Sequence, residues 1–301
     1  MSTPTLDTTP TPTSPSIPST PTTAPASSAE RPGTTRSRAT SPRRRVPRLL
    51  GLARAELTLL LRNRMQLFTA LLLPLSVPFL YLPLARQGGT PEALASGLGT
   101  MFVVALLFVV YYNLLSSYVA RRQDLVLKRL RTGEASDATV LTATAVPALL
   151  IAFVMIGVMG AIATPLLDLP LPAHPAVLVI GLVLGAAVMV PLALATANIT
   201  RTVEAAQVTS LPLMAVLVIG AGAAIPLQMM PDWFGRLAAL VPSAPITAMV
   251  RLGWLGIDAE GAALSTGEVW VQTAQQTGIL LVWLILGILF VRSHFRWEPR
   301  G

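Results

Sequence analysis

The sequence predicts an all-α polytopic membrane protein with six transmembrane helices. Only 12% of the residues are charged and 53% are hydrophobic, whereas about 25% of the residues in a soluble domain are charged. A helix needs about 20 apolar residues to cross a bilayer. Six stretches without Asp, Glu, Lys or Arg reach that length, at 65–85, 93–120, 138–167, 169–200, 205–231 and 269–291. We therefore predict spans at about 65–85, 97–120, 138–164, 175–197, 205–227 and 269–291.

The chain ahead of the spans divides into a tail and a basic helix. Residues 1–42 hold 12 Thr, 8 Ser and 9 Pro, a composition that cannot bury enough apolar surface to fold. We predict a disordered cytoplasmic tail at 1–44 and a single membrane domain at 45–301. Within 45–63, leucines recur every three to four residues between arginines, which predicts an amphipathic helix in the membrane interface. A nucleic-acid patch is the alternative reading of this basic cluster, but its place beside a span favours the lipid bilayer, and we expect no nucleic acid as a partner.

The basic residues are distributed unevenly between the two sets of loops. If the N-terminus is cytoplasmic, nineteen Lys and Arg fall on inside segments and three fall outside, at Arg86, Arg236 and Arg251. Short cytoplasmic loops carry such an excess of basic residues. We therefore expect a multi-pass protein of the cytoplasmic (plasma) membrane with both termini in the cytoplasm.

Residues 231–252 fit neither a span nor an ordinary loop. They begin Pro231-Asp-Trp233, contain Pro242, and hold an uncharged run at 237–250. That run is only 14 residues long, the length expected of a re-entrant or interfacial segment.

Several classes of function are disfavoured. A phosphate-binding loop of the form G-x-x-x-x-G-K-[ST] needs a lysine, and the only one, Lys128, follows Leu127. The histidines, His174 and His294, are expected at opposite membrane faces and so cannot share a metal. The spans also lack the carboxylates and lysines typical of ion-coupled transport. We expect no catalytic, cofactor or metal site in this chain, and an energy source outside it.

The inside loop at 121–137 combines basic and apolar residues. A short helix with this pattern is suited to a groove on a cytosolic partner, and a loop that only sets topology is an equal alternative. The residues of this candidate coupling loop are Arg122, Leu127, Lys128, Arg129, Leu130 and Arg131.

A second group of candidates is polar and lies in or beside the spans. Such side chains either line a substrate path or hydrogen-bond between helices. They are Asn113, Ser116, Ser117, Asn198 and Gln228. Gly181 and Gly185 form a G-x-x-x-G pair that indicates either a dimer seam or close packing within one chain.

The order of these elements resembles the permease subunits of type-2 ABC transporters, of the antibiotic and drug exporter kind. The resemblance covers 45–296. Its marks are Arg62-Asn63-Arg64, Pro74 in the first span, the loop at Arg121–Arg131, Pro231-x-Trp233 and Pro242. Leu125 departs from the glycine that many members carry, and Gly133 from their proline.

The resemblance implies that the 121–137 loop is the coupling helix seated on a separate ATPase subunit, which binds ATP and Mg. It also implies that 231–252 is an extracellular re-entrant hairpin closing the pore, marked by Pro231, Trp233 and Pro242. The expected function is an exporter half that pairs with a second permease and two ATPase subunits. A non-transporting membrane sensor or anchor is the first alternative, and a membrane-embedded enzyme the second.

Overall fold

The computed structural model describes residues 76, 79–83, 85–123, 137–222 and 231–294. This part of the chain is mostly helical and contains no strand, only an isolated bridge between Ile257 and Ala263. The prediction of an all-helical multi-pass membrane protein is confirmed. The tail, the interfacial helix and most of the first predicted span lie outside the described residues.

Residues 76, 79–83 and 85–86 are helical, and eight α-helices follow them in the described part of the chain. They are α1 Pro91–Ala105, α2 Asn113–Gln123, α3 Asp137–Leu166, α4 Pro175–Ile199, α5 Val203–Gly220, α6 Asp232–Ala239, α7 Ser243–Leu255 and α8 Thr266–His294. A π-helical segment, Leu106–Tyr112, joins α1 to α2. Five stretches are long and apolar enough to cross a membrane: Ala93–Gln123, Leu141–Leu166, Pro175–Ile199, Val203–Gly220 and Thr266–His294. They coincide with the second to sixth predicted spans.

Local sequence signals start and stop these helices. Thr90 caps α1 by accepting the Ala93 N–H at 3.4 Å, and Pro91 follows it at the first helical position. A proline there loses no hydrogen bond, because the first N–H groups of a helix have no partner within the helix. Gly256 ends α7 in the left-handed conformation, at φ 67°, which glycine adopts without steric cost.

Helices α6 and α7 form a pair bent by 80° at the short break between them. The pair falls on the predicted hairpin, and a bend of this size fits either a broken span or a re-entrant loop. Prolines stand just ahead of both helices, Pro231 before α6 and Pro242 before α7. Trp233, in the first turn of α6, is exposed. Its ring meets the ring of Phe234 edge-on, with 5.6 Å between the ring centroids.

Helix α7 lies in the core between α1 and α4, and glycines permit the close approach. A Cβ on Gly99 of α1 would lie 2.7 Å from the methyl of Thr247. On α4, a Cβ on Gly181 would lie 2.8 Å from the Cβ of Met249, and one on Gly185 would lie 2.7 Å from Ile246. The G-x-x-x-G pair therefore packs against α7 of its own chain.

The two ends of the helix bundle differ. At one end the α3–α4 turn meets the end of α7, where the His174 N–H donates to the Gly253 carbonyl at 2.8 Å and the Trp254 indole to the Pro170 carbonyl at 2.8 Å. We call this the Trp254 end. At the other, the Arg122 end, α2 finishes beside the α4–α5 turn.

The outward faces of the helices remain strongly apolar. On α8 the buried residues are Val269, Thr273 and Leu280, and large exposed apolar side chains such as Leu281, Ile285 and Leu289 continue along its length. Lipid tails are as apolar as these side chains, so such faces are compatible with a membrane.

Candidate functional site

A cavity of about 970 Å³ lies toward the Trp254 end, and we call it the chamber. Helix α1, the end of α5, the α6–α7 pair and the 258–261 loop supply most of its lining, and the chamber is partly open. Its lining residues are Tyr81, Thr90, Ala93, Ser96, Gly97, Thr100, Gly220, Ala221, Gly222, Gly235, Ala239, Ala244, Thr247, Ala248, Arg251, Asp258, Ala259, Glu260, Gly261 and Gln276.

Small side chains on two helix faces account for the volume of the chamber. On α1 the lining positions recur every three to four residues, from Thr90 through Ala93 and Gly97 to Thr100. Positions at that spacing lie on one helical face. Ala244, Thr247, Ala248 and Arg251 form the corresponding strip on α7. Because most of these residues are Gly, Ala or Thr, the helices leave open space between them.

Two of the hydroxyls that line the chamber donate hydrogen bonds to backbone carbonyls. Thr100 donates to the carbonyl of Ala221 at 3.2 Å, which ties α1 to the end of α5. Thr247 donates to the carbonyl of Ser243 one turn earlier on α7, at 3.3 Å. The first of these bonds fixes the distance between two elements that border the chamber.

Among the described lining residues, the charged groups are one cation and two carboxylates. Arg251 is partly buried on α7, and Asp258 and Glu260 act on it electrostatically from the following loop. The carboxylate of Asp258 also accepts the N–H groups of Glu260 at 3.0 Å and Ala262 at 2.8 Å, which shapes the loop. An ionisable group within a membrane bundle is a mark of a functional site.

The candidate path residues lie elsewhere. Asn113 is buried in α2, and its side-chain oxygen accepts the hydroxyl of Ser117 at 3.4 Å. Asn198 is buried near the end of α4, and Ser116 is partly buried on α2. None of these four lines the chamber. Gln228 lies outside the described residues, so the assignment of all five to a substrate path stays a prediction.

The candidate coupling loop is described only at its beginning. Arg122 is 2% exposed and donates a hydrogen bond to the backbone carbonyl of Thr200. It therefore lies inside the bundle at the Arg122 end. The other five residues of that set, Leu127, Lys128, Arg129, Leu130 and Arg131, lie outside the described residues, and their contact with an ATPase stays a prediction.

The chamber residues were not singled out by sequence reasoning. The row of small and hydroxyl-bearing residues from Thr90 to Thr100 was a usable signal, because the positions share one helical face. The matching strip on α7 had no such signal, since only the fold shows which face of α7 points toward α1. No group of three or more His, Asp or Glu side chains able to hold a metal occurs within the described ranges.

Comparison with known proteins gives one result for the family. Residues 48–254, more than half of the chain, match the model of the ABC-2 type transporter family. The match begins within the predicted interfacial helix and ends near the end of α7. The comparison with curated proteins gave no match.

Proposed function

This chain belongs to the ABC-2 type transporter family, and we propose that it is the permease half of an ATP-driven exporter. In this proposal a second permease completes the transport path, and two copies of a separate ATPase subunit supply the energy. The membrane domain is a transport component, and no catalytic residue is assigned to it.

The chamber is the observation that carries the proposal. Small-molecule sites are concavities of about 300–1,000 Å³ with a few polar groups among apolar ones. The chamber, at about 970 Å³, lies within that range. It offers hydroxyls, the guanidinium of Arg251 and the amide of Gln276 among alanines and glycines. We propose that substrate occupies it during export.

We propose that the α6–α7 pair is a re-entrant hairpin at the outer end of the path. Helix α7 has 13 residues, about 20 Å at 1.5 Å per residue, and the hydrocarbon core is about 30 Å thick. Helix α6 turns away from it by 80° and does not extend its reach. Gly253 packs on Leu178 near the start of α4, and Ile246 packs on Gly185 seven residues further along, so α7 spans the half of the bundle toward the Trp254 end.

The orientation of the chain in the membrane is proposed from the excess of basic residues on the inside segments. In the proposed orientation the Arg122 end lies in the cytoplasm and the Trp254 end lies outside. The chamber then lies at the outer side, behind the hairpin, while Asn113 and Asn198 lie on the cytoplasmic side of it. Export as the direction of transport is proposed from the resemblance to exporter permeases.

The test fills the chamber without disturbing the rest of the surface. Ala248→Phe places a large side chain in the chamber, and Ala274→Phe makes the same change on the exposed surface of α8. The permease is reconstituted with its candidate ATPase, and ATP-dependent movement of anionic, cationic and neutral fluorescent amphiphiles is measured in proteoliposomes. We expect Ala248→Phe to lower transport at least roughly tenfold, equivalent to about 1.4 kcal/mol, and Ala274→Phe to leave it near wild type.

Two results would contradict the proposal. Full transport by Ala248→Phe would remove the chamber from the path. A wild-type chain that folds and binds the ATPase yet moves none of the amphiphiles would favour the sensor or anchor alternative.

A further inference from the structure

We propose that Arg122 is a positioning residue that couples the end of α2 to the α4–α5 turn and so to α5. This inference rests on the proposed function, because it concerns how ATP hydrolysis by a partner reaches the chamber. Its structural part, a mechanical link between two cytoplasmic segments, can be measured on the permease alone.

Burial of the Arg122 charge costs free energy unless a partner replaces the lost hydration. The side chain is 2% exposed, and a buried charge needs a partner to offset its lost hydration. The hydrogen bond from its guanidinium to the Thr200 carbonyl provides one. Thr200 is the C-cap of α4, and the carbonyl end of a helix carries partial negative charge that attracts cations. Helix α4 has no basic residue in its own last turn. The cation at its carbonyl end is Arg122, from α2.

Thr200 is itself held from two sides. Its hydroxyl donates to the Thr196 carbonyl at 2.8 Å, which fixes it to the last turn of α4. The hydroxyl of Thr209 on α5 lies 2.8 Å from it and donates its single hydrogen either to the Thr200 hydroxyl or to the Ala205 carbonyl, at 3.0 Å. A force on the Thr200 carbonyl therefore acts on both α4 and α5.

Two tyrosines tie the same region of the α1–α2 span to its neighbours. The hydroxyl of Tyr111, in the π segment, donates to the hydroxyl of Thr196 at 3.1 Å. The hydroxyl of Tyr118, one turn before Arg122, donates to the Leu141 carbonyl of α3 at 2.9 Å. These bonds fix α2 relative to α3 and α4. Arg122 is the last buried side chain of α2.

Helix α5 connects this link to the chamber. Its first turn follows the α4–α5 turn, and its end supplies Gly220 to the chamber wall. At that end the Thr100 hydroxyl binds the Ala221 carbonyl. The span that carries Arg122 is thus bonded to Thr200, just ahead of α5, and to Ala221, just after it. A displacement of the end of α2 that shifts Arg122 would therefore act on the α4–α5 turn, from which α5 runs to the chamber.

The experiment compares two neighbouring arginines. Arg122→Met removes the charge and the hydrogen bond while keeping a long apolar stem. Arg121→Met removes one positive charge from the adjacent, partly buried position. The two variants therefore change the number of basic residues that set the topology by the same amount. Spin labels on Gln123→Cys and Arg201→Cys, both exposed, report the distance between the end of α2 and the α4–α5 turn. A second pair, on Gln87→Cys and Glu260→Cys, reports on the Trp254 end.

We expect Arg122→Met to broaden the distance distribution between positions 123 and 201 and to leave that between 87 and 260 unchanged. In the complex with the ATPase, we expect basal ATP hydrolysis to persist while the ATP consumed per amphiphile transported rises on the order of tenfold, the effect of losing one charge-assisted hydrogen bond. Arg121→Met should match wild type in both measurements, and Arg122→Lys should restore part of the coupling.

The outcomes separate the two proposals. If Arg122→Met keeps both the wild-type distance distribution and the wild-type ATP consumption, the link does not exist. If Arg122→Met does not fold, Thr209→Val, which removes the hydroxyl contact on α5 without a charge change, should raise ATP consumption less but in the same direction, and a wild-type value would overturn the inference. If the wild-type chain neither binds an ATPase nor transports, the proposed function fails, while the label distances still test the link.

Discussion

At the scale of single residues, the glycines of the spans are of two kinds. Some allow two helices to approach, as Gly181 does where α4 meets α7. Others face open space, as Gly157 on α3 and Gly278 on α8 do, with nothing within 4 Å of an added Cβ. The two kinds cannot be told apart by composition, because each is a glycine in an apolar helix. Only the contact shows which glycine a substitution would disturb.

We predict that Gly181→Ala lowers the thermal stability of the permease. The added Cβ would lie 2.8 Å from the Cβ of Met249, which is fixed to the backbone and cannot rotate away. Overpacking of this kind costs about 1–3 kcal/mol. The measurement is the melting temperature of the purified chain in one detergent. Gly157→Ala is the control and should be neutral or stabilising by up to about 1 kcal/mol, because alanine favours helix more than glycine does. Equal melting temperatures for the two variants would contradict the packing described for α4 and α7.

At the scale of elements, the α1–α2 span is the most buried of the candidate spans in the described residues, and it contains the π segment. The sequence predicted one helix at 97–120, and the structure extends it to Ala93–Gln123 with the π segment in its middle. Segments of this type are often found at functional sites. Here the π segment contains Tyr111, whose hydroxyl reaches α4, and it separates the chamber-lining half of the span from the half that carries Arg122.

The loop that follows this span is where we expect the ATPase to dock. Leu130→Asp should abolish co-purification with the ATPase. Burial of a leucine is worth about 1.5–3 kcal/mol, and the substitution would also bury an unpaired charge. Arg131→Ala, expected at a solvated rim, should cost at most about 1 kcal/mol. Membrane insertion should survive both changes, which the yield in the membrane fraction checks. Full partner binding and stimulated ATP hydrolysis by Leu130→Asp would show that the loop only sets topology.

At the scale of the whole molecule, the orientation in the membrane has its own test. The chain contains no cysteine, so single cysteines can be introduced without a background. An impermeant thiol reagent applied to intact cells should label Glu260→Cys, at the Trp254 end, and should spare Gln123→Cys, at the Arg122 end. Both positions are exposed, so burial cannot explain a difference between them. Labelling of Gln123→Cys in intact cells would contradict the proposed orientation.

The sequence could predict the spans but not their packing, for a physical reason. Charge-free stretches identify a span because a charged side chain is costly in the membrane. Within a span, however, a face against lipid and a face against another helix are equally apolar, so no stripe marks the buried side. The contact of Gly181 with Met249, and the pairing of the α1 face with the α7 face around the chamber, could therefore not be predicted from the sequence.

Arg122 shows a related limit. In the sequence it is one of several basic residues in a cytoplasmic loop, and its charge favours an exposed position. In the structure it is buried because the end of another helix compensates the charge. That compensation depends on Thr200, 78 residues further along the chain, so a local pattern contains no sign of it.

The bond between Trp283 and the hairpin has a consequence for how the protein is made. The indole N–H of Trp283 on α8 donates to the carbonyl of Leu240 at 2.7 Å, at the bend between α6 and α7. In lipid, an unsatisfied backbone carbonyl costs several kcal/mol. A ribosome synthesises Leu240 more than forty residues before Trp283, so the bend emerges well ahead of the group that completes it. The hairpin reaches its final bonding only once the last span has entered the bilayer, and a chain released before that point leaves its bend without this donor.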